Sequence, residues 1–249
     1  MVPTLAGANV RWIAILAGLV LVAVASRPGH SEGARAEKVT IAVVGDSLAD
    51  GMWGGLYRSV QKDKRYTIVR GAKNSVGFTG GDLLDMVDRA FASTEIHALV
   101  MMIGANDRRT VFVDGQPKAL LGKPAWIEIY RSRVERFMDH AGKRNVPLVW
   151  LLLPIMRDAN ATREARVINA IVIDAARLRP YVFLIDTFRL TADATGAYVA
   201  HFADLSGQKR TMRAGDGVHF EQPAYELFAE MVLTRLREVS PPFARLAAE

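Results

Sequence analysis

Ser47 follows an apolar, β-branched run, Ile41-Ala-Val-Val-Gly-Asp-Ser-Leu48, that reads as a buried parallel strand stopped at Gly45. A serine at the carboxyl end of such a strand stands where open α/β sheets bind ligands. Three more groups fall just past strand-like runs: the glycine-rich loop 71–81, Gly104-Ala-Asn-Asp107, and Asp216-Gly-Val-His219 ahead of the last helical segment. Together they offer what acyl transfer requires. A nucleophilic serine needs a base within hydrogen-bond reach, and the base needs a group that fixes its tautomer. Donors must also face the oxyanion that develops during attack. Each group has a plainer reading too: Asp46 or Ser47 as a helix cap, Asn106 as a turn residue, His219 as a structural histidine.

The elements that must position these residues alternate. Strand-like runs at 38–44, 66–70, 98–103, 146–153 and 181–186 are separated by helical patterns at 55–61, 82–92, 126–141 and 164–178. A closing helix at 223–239 carries Pro223 near its first turn. This alternation predicts right-handed βαβ units and a doubly wound α/β domain with a parallel sheet of about five strands in flavodoxin-like order. Two stretches break it, 111–123 and 187–217. Both follow strand ends, and both are expected to wall a substrate cleft.

Gly45-Asp-Ser-Leu48, Gly77, Gly104-Ala-Asn106 and Asp216-x-x-His219, in this order, resemble the four blocks of the SGNH (GDSL) hydrolases. Gly-Asp-Ser-Leu-Ala-Asp-Gly, Gly-Ala-Asn-Asp-Arg and Arg213-x-x-Asp-Gly-Val-His-Phe220 are more similar still to a bacterial SGNH-type family known only as a domain of unknown function. The similarity runs from about Val39 to Leu236. It implies a three-layer α/β/α sandwich with Ser47 as nucleophile, His219 as general base and Asp216 orienting His219. It also implies an oxyanion hole made of the Ser47 and Gly77 backbone N–H groups and the Asn106 amide. Gly71, Gly80 and Gly81 compete for the glycine position; Ser75-Val-Gly-Phe78 resembles the block and selects Gly77. A glycine there would let the backbone approach the substrate closely.

Arg108, Arg109 and Arg213 adjoin these blocks. They read either as surface arginines paired with Asp46, Asp107 or Asp204, or as a cationic rim, with Arg108 and Arg213 as candidates for gripping an anionic substrate. His97 and His140 read as ordinary, and His201 lies in the second irregular stretch.

Residues 12–25 form an apolar stretch behind Arg11, too short to span a bilayer but suited to a signal peptide or an N-terminal anchor. Cleavage is expected after Ala36, with Ala25 as the alternative, leaving residues 37–249 as one exported domain in the periplasm or cell envelope. The absence of cysteine excludes disulfides, thiol nucleophiles and thiolate metal sites. A net charge of +6 over the chain is spread thinly, which argues against nucleic acid as a partner. No metal or organic cofactor is expected, and no stable membrane insertion of the mature domain. The reading is an ester hydrolase acting on an acylated glycan or a small ester. Its rivals are an O-acyltransferase using the same acyl-enzyme and a non-catalytic glycan-binding module.

Overall fold

The computed structural model describes residues 38–248, so the expected signal segment and its cleavage sites lie outside the described residues. β1 (Val39–Gly45) is buried along its whole length, as an apolar run without alternation requires of a strand covered on both faces. It pairs in parallel with β2 (Tyr66–Ala72) on one side and β3 (Ala98–Met102) on the other. The hairpin β4 (Val111–Val113) and β5 (Gln116–Ala119) intervenes before β6 (Leu148–Leu151) and β7 (Val182–Ile185) complete the sheet. All its pairings are parallel and its order is β2-β1-β3-β6-β7. A second hairpin, β8 (His201–Ala203) with β9 (Lys209–Thr211), lies outside the sheet.

The chain leaves β1 toward β2 on one side and continues through β3 on the other, so the strand order reverses at β1 and β3. Their carboxyl ends border the crevice where such sheets bind ligands. Ser47 leaves one end and Gly104–Asp107 the other, and the Asp46 N–H donates to the Met102 carbonyl at 3.3 Å.

Helix α1 (Ser47–Val60) begins eight residues before the predicted start at Gly55. The glycines that mark it down as a helix have a packing reason. A Cβ at Gly51 would lie 2.0 Å from the Tyr225 ring, and one at Gly55 would lie 2.4 Å from the Tyr225 carbonyl oxygen. They let α1 close onto α6 (Gln222–Val239), to which α7 (Pro241–Ala248) is appended. α2 (Leu84–Ser93), α3 (Pro124–Gly142) and α4 (Ala159–Ala176) pack against one another in sequence. The short α5 (Thr187–Leu190) follows β7. α4 starts earlier than its apolar pattern indicates because Asp158 caps it, accepting from the Ala161 N–H at 2.7 Å.

The stretch 111–123 contains a strand pair rather than open loop. Asp114 and Gly115 take φ of +50° and +75°, the left-handed pair that a two-residue hairpin turn demands. No helix among the described residues is long and apolar enough to cross a membrane.

Candidate active site

Asp46 caps α1, accepting from the Leu48 N–H at 2.9 Å, and with its other oxygen it accepts from the Gly104 N–H at 3.1 Å. It thereby ties the start of α1 to the end of β3. Burial outweighs these bonds and pushes its pKa up to about 6. The next residue, Ser47, stands in the first turn of α1, where backbone N–H groups have no partner within the helix.

The Ser47 hydroxyl lies 2.7 Å from His219 Nε2, although the two residues are 172 positions apart. His219 Nδ1 lies 2.6 Å from Asp216 Oδ2. A carboxylate only accepts, so Nδ1 carries the ring proton and Nε2 is free to accept from the serine. Asp216 is itself fixed by its own loop, its Oδ1 accepting from the Val218 and His219 N–H groups at 2.8 and 2.9 Å. Partial burial pulls its pKa upward, but the bonds from His219 and the loop amides prevail and hold it at about 2.

The remaining polar groups come from the ends of β2 and β3. Asn106 Nδ2 donates to the Val76 carbonyl at 3.1 Å and lies 3.5 Å from Asp46 Oδ2. It thus fixes the plane of the peptide whose N–H belongs to Gly77. Among the described residues, neither the Ser47 N–H nor the Gly77 N–H has a hydrogen-bond partner. The rival glycines fare differently: Gly71 is part of β2, and the Gly80 N–H is bonded to the Gly77 carbonyl.

Glycine at 77 also has a packing reason. An added Cβ would meet Asp107 Oδ1 at 2.1 Å, so the missing side chain makes room for a buried carboxylate. Asp107 pairs with none of the arginines; it accepts from Phe78 N–H, Thr79 N–H, Thr79 Oγ1 and the Tyr130 hydroxyl.

Of the two candidate rim arginines, Arg213 needs correction. Arg213 is 2% exposed, and its guanidinium reaches the carbonyls of Ile155 at 2.6 Å, Gly217 at 3.2 Å, Val218 at 3.0 Å and His219 at 3.4 Å. Phe220 and Tyr198 cover it at 4.4 and 5.0 Å. It clamps the loop that carries Asp216 and His219 instead of meeting solvent, and burial lowers its pKa to about 10. Arg108 pairs with Glu164 at 3.4 Å and donates to the Ala105 carbonyl at 3.2 Å. Sequence reading missed both Asp107 and Arg213 as scaffold, because a charged residue in a loop reads as surface.

The other described histidines stand apart from this cluster. His97 Nδ1 accepts from the Thr40 N–H at 3.1 Å, His140 pairs with Asp88, and His201 is exposed on β8.

Residues 40–235 match the family described as protein of unknown function (DUF459). The chain belongs to this family. Among solved structures, this DUF459 chain is similar to a GDSL-like lipase from Bacteroides thetaiotaomicron VPI-5482, with 9% identity, 80% of this chain and 88% of that one covered, and a TM-score of 0.54. It is also similar to a carbohydrate esterase family 3 structure from Talaromyces cellulolyticus, with 11% identity, coverage of 81% and 97%, and a TM-score of 0.53. A third likeness is the psychrotrophic esterase EstA from Pseudoalteromonas sp., inhibited by monoethylphosphonate, at 13% identity, 80% and 97% coverage and a TM-score of 0.50. At these identities the likeness is one of fold, and the fold is that of the SGNH hydrolases. No curated protein matches the chain in sequence.

Proposed function

We propose that this DUF459 protein is a serine esterase that removes acyl groups through an acyl-Ser47 intermediate. The observation that carries the reading is the continuous hydrogen-bonded chain from Ser47 through His219 to Asp216, at 2.7 and 2.6 Å. In the proposed reaction His219 Nε2 takes the hydroxyl proton as Ser47 Oγ attacks the ester carbonyl, and the imidazolium is stabilised by Asp216. The tetrahedral oxyanion is received by the unpartnered N–H groups of Ser47 and Gly77. The Asn106 amide adds its second N–H, which at 3.5 Å from Asp46 is the less committed of the two. Collapse breaks the bond to the alcohol, which leaves with the proton from His219. Water then attacks the acyl-serine as His219 takes its proton; collapse breaks the acyl–Oγ bond, His219 returns the proton to Ser47 Oγ, and the acid leaves.

The substrate class follows from exposure. The side chains of His219 and Asp216 are 36% and 49% exposed, so the reacting ester approaches from open solvent. An open site suits an O-acyl group carried on a polymer, and the apolar stretch at 12–25 would place the domain where envelope glycans are within reach. Free access of water favours hydrolysis over transfer to a second sugar.

The test is intact-protein mass spectrometry after a fluorophosphonate probe, followed by release of acetate from acetylated glycans. One adduct on the wild type and none on Ser47→Ala is the expected result. A folded wild type that takes no adduct, beside a serine esterase that does, would end this reading. Acetyl transfer to an added oligosaccharide in preference to water would convert it into a transferase.

A further inference from the structure

The backbone of the loop after β2 can be accounted for group by group, and the account leaves one donor over. The Val76 carbonyl accepts from Asn106 and the Gly77 carbonyl from the Gly80 N–H. The Phe78 and Thr79 N–H groups donate to Asp107 at 3.0 and 2.8 Å. The Phe78 and Thr79 carbonyls accept from Arg133 Nη1 at 2.6 and 3.2 Å, and the Phe112 N–H also donates to Thr79 O, at 2.9 Å. From the Val76 carbonyl to the Thr79 carbonyl, only the Gly77 N–H is unbonded among the described residues. Gly77 is buried, and a bare buried donor is costly unless something else takes the bond.

The two groups that grip Phe78 and Thr79 are opposite charges in the interior. Asp107 is 0% exposed and Arg133, on α3, is 7% exposed. The carboxylate takes the amide hydrogens of this dipeptide while the guanidinium takes its carbonyls. Tyr130, one turn before Arg133 on α3, donates to Asp107 at 2.9 Å, and Arg133 also donates to the Phe112 carbonyl of β4. Phe78 plugs the loop into an aromatic cluster with Tyr130, Phe137 and Trp150.

We infer that Asp107 and Arg133 are positioning residues for the oxyanion hole, holding Phe78 and Thr79 between opposed buried charges so that the Gly77 N–H stays aimed at the reacting carbonyl. This rests on the esterase reading above. The hairpin β4–β5, through Phe112, is part of the device. Neither residue touches substrate.

The experiment compares wild type, Asp107→Asn and Arg133→Lys in hydrolysis of p-nitrophenyl acetate and in fluorophosphonate labelling. An asparagine would place a donor against the Phe78 N–H, and a lysine reaches one carbonyl where arginine reaches three. The expected result is a fall in kcat of about 10- to 100-fold with KM within about twofold. The pH profile of kcat/KM should not move, and the low-field proton signal of the His219 Nδ1–H should persist. Thr79→Val, which removes the hydroxyl that donates to Asp107 at 2.8 Å and accepts from Arg109 Nε at 3.1 Å, keeps the question open to test if the buried variants fail to fold; about a threefold loss of kcat is expected. Folded variants that turn over like wild type would overturn the inference alone. A loss of kcat accompanied by a shifted pH profile or a lost His219 signal would also overturn it, because the residues would then act through the acid–base side. A wild type that neither labels nor hydrolyses would overturn the esterase reading and this inference with it.

Discussion

In the proposed esterase the two halves of the site face opposite demands and meet them with different charge arrangements. On the oxyanion side, a fully buried carboxylate and a buried guanidinium face each other across the Phe78–Thr79 backbone. On the acid–base side, Asp216 is half exposed, and the buried Arg213 donates to backbone carbonyls beneath two aromatic rings. Donors that must stay fixed while charge appears and disappears gain from a dry, neutralised frame, where each bond is strong and nothing needs to reorganise. A base that gains and loses a proton in every cycle gains from solvent and from a carboxylate that remains ionised down to about pH 2. Each irregular insert serves one half: Phe112 of the first hairpin holds Thr79, and Tyr198 of the second stretch lies over Arg213.

The sharpest test of the difference is the pair His219→Ala and Asn106→Ala. Loss of the base should reduce kcat by about 10⁵–10⁶, whereas loss of one oxyanion donor should cost about 10²–10³, both read in p-nitrophenyl acetate turnover. Equal losses would erase the distinction between the halves. Gly77→Ala comes next. Its Cβ would run into Asp107, so a fall in kcat of about 10² is expected while the pH profile stays put.

The clamp beneath the base should show in stability. Arg213→Met leaves the Ile155 and Val218 carbonyls without their donor and should lower the urea-unfolding free energy by about 3 kcal/mol. Unlike the oxyanion variants, it should also move the pH profile, because the loop it frees carries His219.

The last expected effect is a slope. Asp46 has its folded pKa raised to about 6 from 3.8, so the native state holds this proton more tightly than the unfolded chain. Stability from this group is complete below pH 4 and is lost as pH rises through 6, a decline of about 3 kcal/mol. Urea titrations of Asp46→Asn between pH 4 and 7 should lack that decline.

Much of the architecture was readable because strand ends coincide with changes of composition. Val39–Gly45 and Ala98–Met102 are unbroken apolar runs, and the residues after them are of types that do chemistry. The start of α1 was obscured because Gly51 and Gly55 lower helix propensity, and propensity carries no record of the Tyr225 ring that fills the space they leave. The Asp114-Gly115 turn signal was present and went unused. Arg213 and Asp107 were misjudged for a common reason. Whether a charge is buried depends on what packs over it, and backbone groups, their partners here, have no letter in the sequence.

The distance along the chain between Ser47 and His219 has a consequence for when the molecule becomes reactive. One stands at the start of α1 and the other just before α6, so the packing of α6 on α1, with Tyr225 against Gly51 and Gly55, is what brings them together. An incomplete or unfolded chain holds the serine without its base, and such a hydroxyl is a poor nucleophile. In the proposed esterase, covalent labelling of Ser47 would therefore report whether α6 has docked on α1.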